Sequence, residues 1–193
     1  MERTEKILAA PDPHFQRYSN RPFPSYRYIE GITPHPTENK LGHSFGKEEE
    51  KPKPLSQTTW QTNEVYLWGI DLYNYAYWWE AHEAFEGLWK IESRETITSQ
   101  YLQGLIKVCA ALIKWNLKKS RGLVELYQGA VGHLQKVSER HANYMGVDLL
   151  SYFKNLDRHF AWVMTKSTQW SSPLESYPFI ILDRKDKTID LKK

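Results

Sequence analysis

The stretch Trp78 to Trp89, WWEAHEAFEGLW, places His82 and the glutamates Glu80, Glu83 and Glu86 among apolar and aromatic residues. His82 and Glu86 stand four residues apart, one helical turn, where an imidazole and a carboxylate meet on the same face. Three kinds of chemistry suit the pair. Imidazole nitrogen and carboxylate oxygen both ligate divalent cations. A carboxylate also favours the imidazolium, which would ready His82 for general acid/base work while Glu83 or Glu80 contacts a substrate in an aromatic-walled pocket. Finally, a hydrogen-bonded pair can hold helices in register without binding anything. The spelling HEAFE lacks the second histidine of the HExxH zinc motif. A metal site would therefore use His82 and Glu86 and draw its remaining ligands from His35, His43, His133 or His141.

These residues need an element to position them. Val65, Trp68, Leu72, Tyr75, Trp79, His82, Glu86 and Trp89 recur at alternating spacings of three and four, which predicts one long amphipathic helix from about Asn63 to Lys90 with His82 and Glu86 facing inward. A second helix is expected from about Thr96 to Lys118. Its run YLQGLIKVCAALIKW is apolar around most of its circumference, with Gln103, Lys107 and Lys114 on a narrow polar face, so it should be the most buried helix. Gly104 lowers helix propensity there, and its expected use is to let a neighbouring helix approach closely. Gln103 would then satisfy what His82 and Glu86 leave unpaired.

Ser120 is the expected cap of a third helix carrying Leu123, Tyr127, Ala130, Leu134, Val137 and His141 on one face. A turn around Tyr144 to Val147 leads to a fourth, capped by Asp148, with Leu149, Phe153, Leu156, Phe160 and Val163 inward. Eight of the ten prolines fall within the first 54 residues, and a proline-free stretch runs from Leu55 to Ser172. That contrast divides the chain into a proline-rich arm over 1–54, a helical domain over 55–172 and a short extended tail over 173–193. The arm carries Phe23, Tyr26, Tyr28 and Ile29, apolar surface that should pack on the helices. The segment Lys47–Pro54 alternates charge with proline and reads as a hinge.

The 193 residues suit a single domain with arms, and 26 Lys+Arg against 23 Asp+Glu leave a mild +3 without a long basic block. Nucleic-acid binding is the weakest alternative, since Lys107, Lys114, Lys118, Lys119 and Arg121 offer only a modest basic face. One cysteine, Cys109, excludes an internal disulfide and suits a reducing compartment, so a cytoplasmic location is expected, and no segment is apolar enough to enter a membrane. Eight tryptophans, twelve tyrosines and seven phenylalanines imply a core of large rings, some bordering a pocket. Phosphate-cradling glycine loops, CxxC pairs and GxSxG elbows are missing from the sequence.

His82, Glu83, Glu86 and Trp89, followed by Gln103, Gly104, Leu105 and Ile106, resemble the pattern of the bacterial and archaeal family grouped as domain of unknown function 309. The arm segment YRYIEGITPHPTENKLGHS is similar to one found in part of that family, extending the likeness over roughly residues 20–160. Lys107 and Cys109 depart from the pattern. The resemblance implies an all-helical bundle with its signature residues between the first two long helices, and it carries no established reaction, substrate or cofactor. It makes His82, Glu83, Glu86 and Gln103 a shared site and His35 and His43 its candidate companions.

The expectation is therefore an all-α antiparallel bundle of about four main helices with a His82, Glu83, Glu86, Trp89 and Gln103 cluster. Its function is read as a binding or structural module for a small ligand or peptide. The alternative is a metal-assisted or acid/base hydrolase using a divalent cation.

Overall fold

The computed structural model describes residues 10–48, 51–164 and 177–184. Five α-helices follow a 3-10 turn at Trp60–Thr62: α1 Glu64–Asn74, α2 Trp78–Lys90, α3 Ile97–Asn116, α4 Leu123–Ser138 and α5 Leu149–Met164. The fold is all-α, as the proline-free stretch implies. Each helix packs on the next in chain order, and a two-residue-per-strand hairpin, β1 Asn143–Tyr144 with β2 Val147–Asp148, is the one sheet among the described residues.

The single helix expected over 63–90 is two helices. Asn63 caps α1 by accepting from Tyr66 N–H at 3.1 Å. At the other end Tyr77 N–H donates to Leu72 O at 2.8 Å and Ala76 N–H to Tyr73 O at 3.1 Å, while Ala76 takes a φ of 64°. This is the Schellman arrangement, with alanine in the left-handed position that glycine usually takes. The expected stripe is off the core even before the break: in α1 Val65 and Trp68 are half-buried while Tyr66, Ile70 and Tyr73 are fully buried. In α2 the inward residues are Trp78, Ala81, Phe85 and Leu88, all buried, and the stripe Trp79, His82, Glu86 and Trp89 lies on the flank.

The α3 helix is capped by Thr96, which accepts from Ser99 N–H at 3.0 Å, and buries Tyr101, Leu102, Leu105, Val108, Cys109 and Leu112. A Cβ on Gly104 would lie 2.5 Å from Leu134 Cγ, so glycine is what lets α4 come this close. Ser120 is not the cap of α4. That position is Gly122, whose φ of 78° a serine side chain would strain. The expected α4 face, Leu123, Tyr127, Ala130, Leu134 and Val137, is buried, and Asp148 accepts from Ser151 N–H at 3.1 Å at the start of α5. His141 lies beyond the end of α4, and the side chain of Val163 lies outside the described residues.

Both flanking segments are fastened to α1. Asp71, fully buried, accepts from Tyr18 N–H at 2.7 Å, Ser19 N–H at 2.9 Å and Ser19 Oγ at 2.8 Å, with Arg17 Nε at 3.4 Å. One turn later Asn74 donates to Ile180 O and accepts from Ile180 N–H, each at 2.8 Å. Large rings fill the space between, and their hydroxyls are paired: Tyr66 OH with Tyr101 OH at 2.8 Å, and Tyr152 OH donating to Tyr73 OH at 3.0 Å.

Candidate functional site

The residues picked out by spacing are only partly together. His82, Glu83 and Glu86 offer ligand atoms that all lie within 4.8 Å of one another. They are not inward. Their side chains are 27%, 42% and 30% exposed, His82 Nδ1 meets Glu83 Oε1 at 3.2 Å, and Glu86 pairs with Lys90 at 3.1 Å instead of with His82. Trp89 donates its indole N–H to Ser99 Oγ at 2.9 Å, tying α2 to α3. Gln103, half-buried on α3, makes no hydrogen bond to His82 or Glu86 among the described residues. The inward face of both helices lies to one side of the three-four stripe, which leaves these side chains at the rim.

Glu80, on another side of the same helix, is buried. Its side chain is 3% exposed, and Oε1 accepts from Tyr28 N–H at 2.7 Å and faces His43 Nε2 at 3.1 Å. The second oxygen, Oε2, has no hydrogen-bond partner among the described residues. A buried carboxylate oxygen is costly unless charge or hydrogen bonds compensate it. The guanidinium of Arg27 lies close enough for charge interaction. Burial lowers its pKa from the ordinary arginine value, and Tyr77 and Glu80 act against that shift.

The arm delivers His43. Gly42 turns so tightly that a Cβ would sit 2.2 Å from Pro36 O and 2.4 Å from His35 O, and its N–H donates to Asn39 O at 2.7 Å. From there His43 N–H donates to Tyr26 OH at 3.1 Å, and the two rings stand 4.8 Å apart. The His43 side chain is 8% exposed, with Nδ1 at 2.8 Å from Ser44 Oγ. His35 does not join this group; its ring packs edge-on against Tyr28 and Trp79.

Glu80, His43 and Ser44 line one cavity of about 640 Å³ between arm and helices. Its apolar walls come from Phe23, Pro24 and Pro52 of the arm side and Val65, Trp68 and Trp79 of α1 and α2. The exposed Lys47, Glu48, Glu83 and Lys90 stand at its mouth, and Arg21 lies over the Trp68 ring at 4.5 Å. On α2 the lining residues Glu80, Glu83, Ala84, Gly87 and Lys90 form a helical stripe of their own. Gly87 is informative: a Cβ there would meet nothing nearer than Pro52 Cγ at 4.0 Å, so close packing does not require glycine. Its missing side chain enlarges the cavity.

Sequence reasoning named His43 as a candidate companion of the HEAFE cluster and Glu80 as a substrate contact, without pairing the two. The available signal was the Glu80–Glu83–Gly87–Lys90 stripe, a polar face holding a helix-interior glycine. That Glu80 would meet His43, 37 residues away, was not legible in any spacing. Cys109 is fully buried, and desolvation pushes its thiol pKa up, in keeping with inert packing.

Fold and site together define an all-helical domain with an arm-covered cavity. Residues 66–126, from α1 into α4, match the family described as a domain of unknown function, DUF309. The match holds His82, Glu83, Glu86, Trp89 and Gln103 and leaves the arm outside it. No curated protein matches the chain. Among the described residues no helix is long and apolar enough to cross a membrane.

Proposed function

We propose that this protein is a small-molecule binding module whose ligand occupies the cavity between the arm and helices α1 and α2. The observation that carries the reading is the cavity of about 640 Å³, whose lining brings the carboxylate Glu80, the imidazole His43 and the hydroxyl Ser44 together among aromatic rings. Such a volume lies within the usual range for small-molecule sites, and a mainly apolar wall with a few converging polar groups is their usual chemistry. The ligand class follows from the lining. A flat or apolar part would rest against Trp68, Trp79 and Phe23, and an O–H or N–H would meet the polar lining of Glu80, His43 and Ser44. The helical domain and the arm then form one functional unit, the arm supplying half of the site.

The cation reading of His82, Glu83 and Glu86 has one observation in favour, their mutual distance of at most 4.8 Å. It has less support than the cavity, because Glu86 already has Lys90 and the three groups are partly solvated.

The test is a thermal-unfolding screen with aryl alcohols and aryl amines, each carrying one ring and one hydrogen-bond donor. A ligand at about 100 times its Kd adds about 2.7 kcal/mol to stability. Saturable stabilisation of the wild type that is lost in Glu80→Gln supports the reading. Stabilisation unchanged in Glu80→Gln, or a response confined to divalent metals and lost in His82→Ala, would transfer the site to the HEAFE turn.

A further inference from the structure

We infer that Ser44 is a nucleophile, activated by His43 and positioned through Glu80, and that the cavity supports cleavage of small carboxylic esters. This deepens the cavity reading and rests on it. Three groups stand in sequence: Ser44 Oγ lies 2.8 Å from His43 Nδ1, and His43 Nε2 lies 3.1 Å from Glu80 Oε1. All three line the same cavity. A nucleophile touching a base that a third group orients is the arrangement acyl transfer requires.

The hydrogen bonds decide which nitrogen is the base. Glu80 Oε1 accepts from Tyr28 N–H and faces Nε2, so Nε2 carries the hydrogen and donates it. In the neutral ring Nδ1 is then the acceptor, and the Ser44 hydroxyl donates to it. The ring is held at both nitrogens, by Ser44 Oγ and Glu80 Oε1, and the Tyr26 ring packs against it at 4.8 Å. His43 is mostly buried whereas Ser44 is half-buried on the cavity wall, which places the hydroxyl where a substrate carbonyl can reach it.

The reaction balances with water alone. Ser44 Oγ attacks the carbonyl carbon while its proton passes to His43 Nδ1. The ester C–O bond then breaks, the leaving alkoxide takes that proton and departs as an alcohol, and Ser44 is left acylated. Water attacks the acyl group, gives one proton to Nδ1, and the carboxylic acid leaves as Ser44 Oγ regains the proton from Nδ1. Ester and water become acid and alcohol, and the protein is unchanged. Glu80 touches no reacting atom in this scheme and acts as a positioning residue.

A fluorophosphonate with a short alkyl chain tests the assignment on the full-length protein. Its phosphorus accepts Ser44 Oγ, the P–F bond breaks, fluoride leaves and the proton goes to His43. The expected result is one adduct, mapped to Ser44 by peptide mass spectrometry, missing in Ser44→Ala and formed at least about 100-fold more slowly in His43→Ala. Because His43 is buried, His43→Gln serves as a second variant, with circular dichroism to confirm folding. In Glu80→Gln, which keeps an acceptor for Nε2, the labelling rate should fall less than in His43→Ala and its pH dependence should shift. No adduct on folded wild-type protein, an adduct on another serine, or a rate indifferent to His43 would each overturn the inference. Stabilisation by aryl alcohols that survives in Ser44→Ala would separate loss of the nucleophile from loss of the pocket.

Discussion

Glu80 and Glu86 lie six residues apart on one helix and are chemically identical, yet their surroundings assign them different work. Glu86 reaches the exposed Lys90 across one turn at 3.1 Å, a solvated pair of the kind worth about 0.3 to 0.5 kcal/mol. Glu86→Ala should therefore change unfolding free energy by no more than about 0.5 kcal/mol in urea titration. Glu80→Ala should lower it by about 3 to 5 kcal/mol, since Arg27, His43 and the Tyr28 N–H would lose a buried partner. Equal effects would show that burial does not separate the two. The sequence pointed to the dozen residues that hold both carboxylates, and burial is what tells the two apart. HEAFE draws attention because histidine and carboxylate are the usual ligating groups, while Glu80 is made special by the arm that covers it.

At the scale of elements, the largest misreading came from a helix end without its usual punctuation. Ala76 takes the left-handed position, at a φ of 64°, that glycine normally marks, so the three-four periodicity of the sequence ran through the break uninterrupted. Elsewhere capping chemistry was legible: Thr96 and Asp148 stand where their side chains satisfy helix N–H groups. The two helix glycines of α2 and α3 make a paired prediction. Gly104→Ala should destabilise by about 1 to 3 kcal/mol despite alanine's better propensity, because its Cβ would meet Leu134 Cγ at 2.5 Å. Gly87→Ala should stabilise by up to about 1 kcal/mol, having open space before it. Chemical denaturation of both variants decides the matter, and a loss of stability in Gly87→Ala would mean that this glycine serves packing.

On the scale of the whole molecule, α1 gathers what the chain keeps far apart. Asp71 holds the arm at Tyr18 and Ser19, and Asn74 holds the C-terminal segment at Ile180, 106 residues away. The apolar residues of the arm announced that it would pack, but its landing place depends on contacts more than fifty residues long, which no local pattern encodes. Asp71→Ala strands three buried donors and should cost about 3 kcal/mol or more. Amide exchange should quicken across residues 17–45 and the aryl-alcohol response should weaken, since the arm is half of the cavity; unchanged exchange there would show the arm to be held by other contacts. The central claim, that the space beneath the arm is a binding site, is tested most directly by filling it. Gly87→Leu puts a side chain into the cavity, where a Cβ meets nothing nearer than Pro52 Cγ at 4.0 Å, and it favours the helix. Thermal unfolding of this variant beside the wild type, with the same aryl alcohols and amines, should show equal or greater intrinsic stability and no ligand-induced shift. A shift as large as that of the wild type would contradict the account and place binding elsewhere.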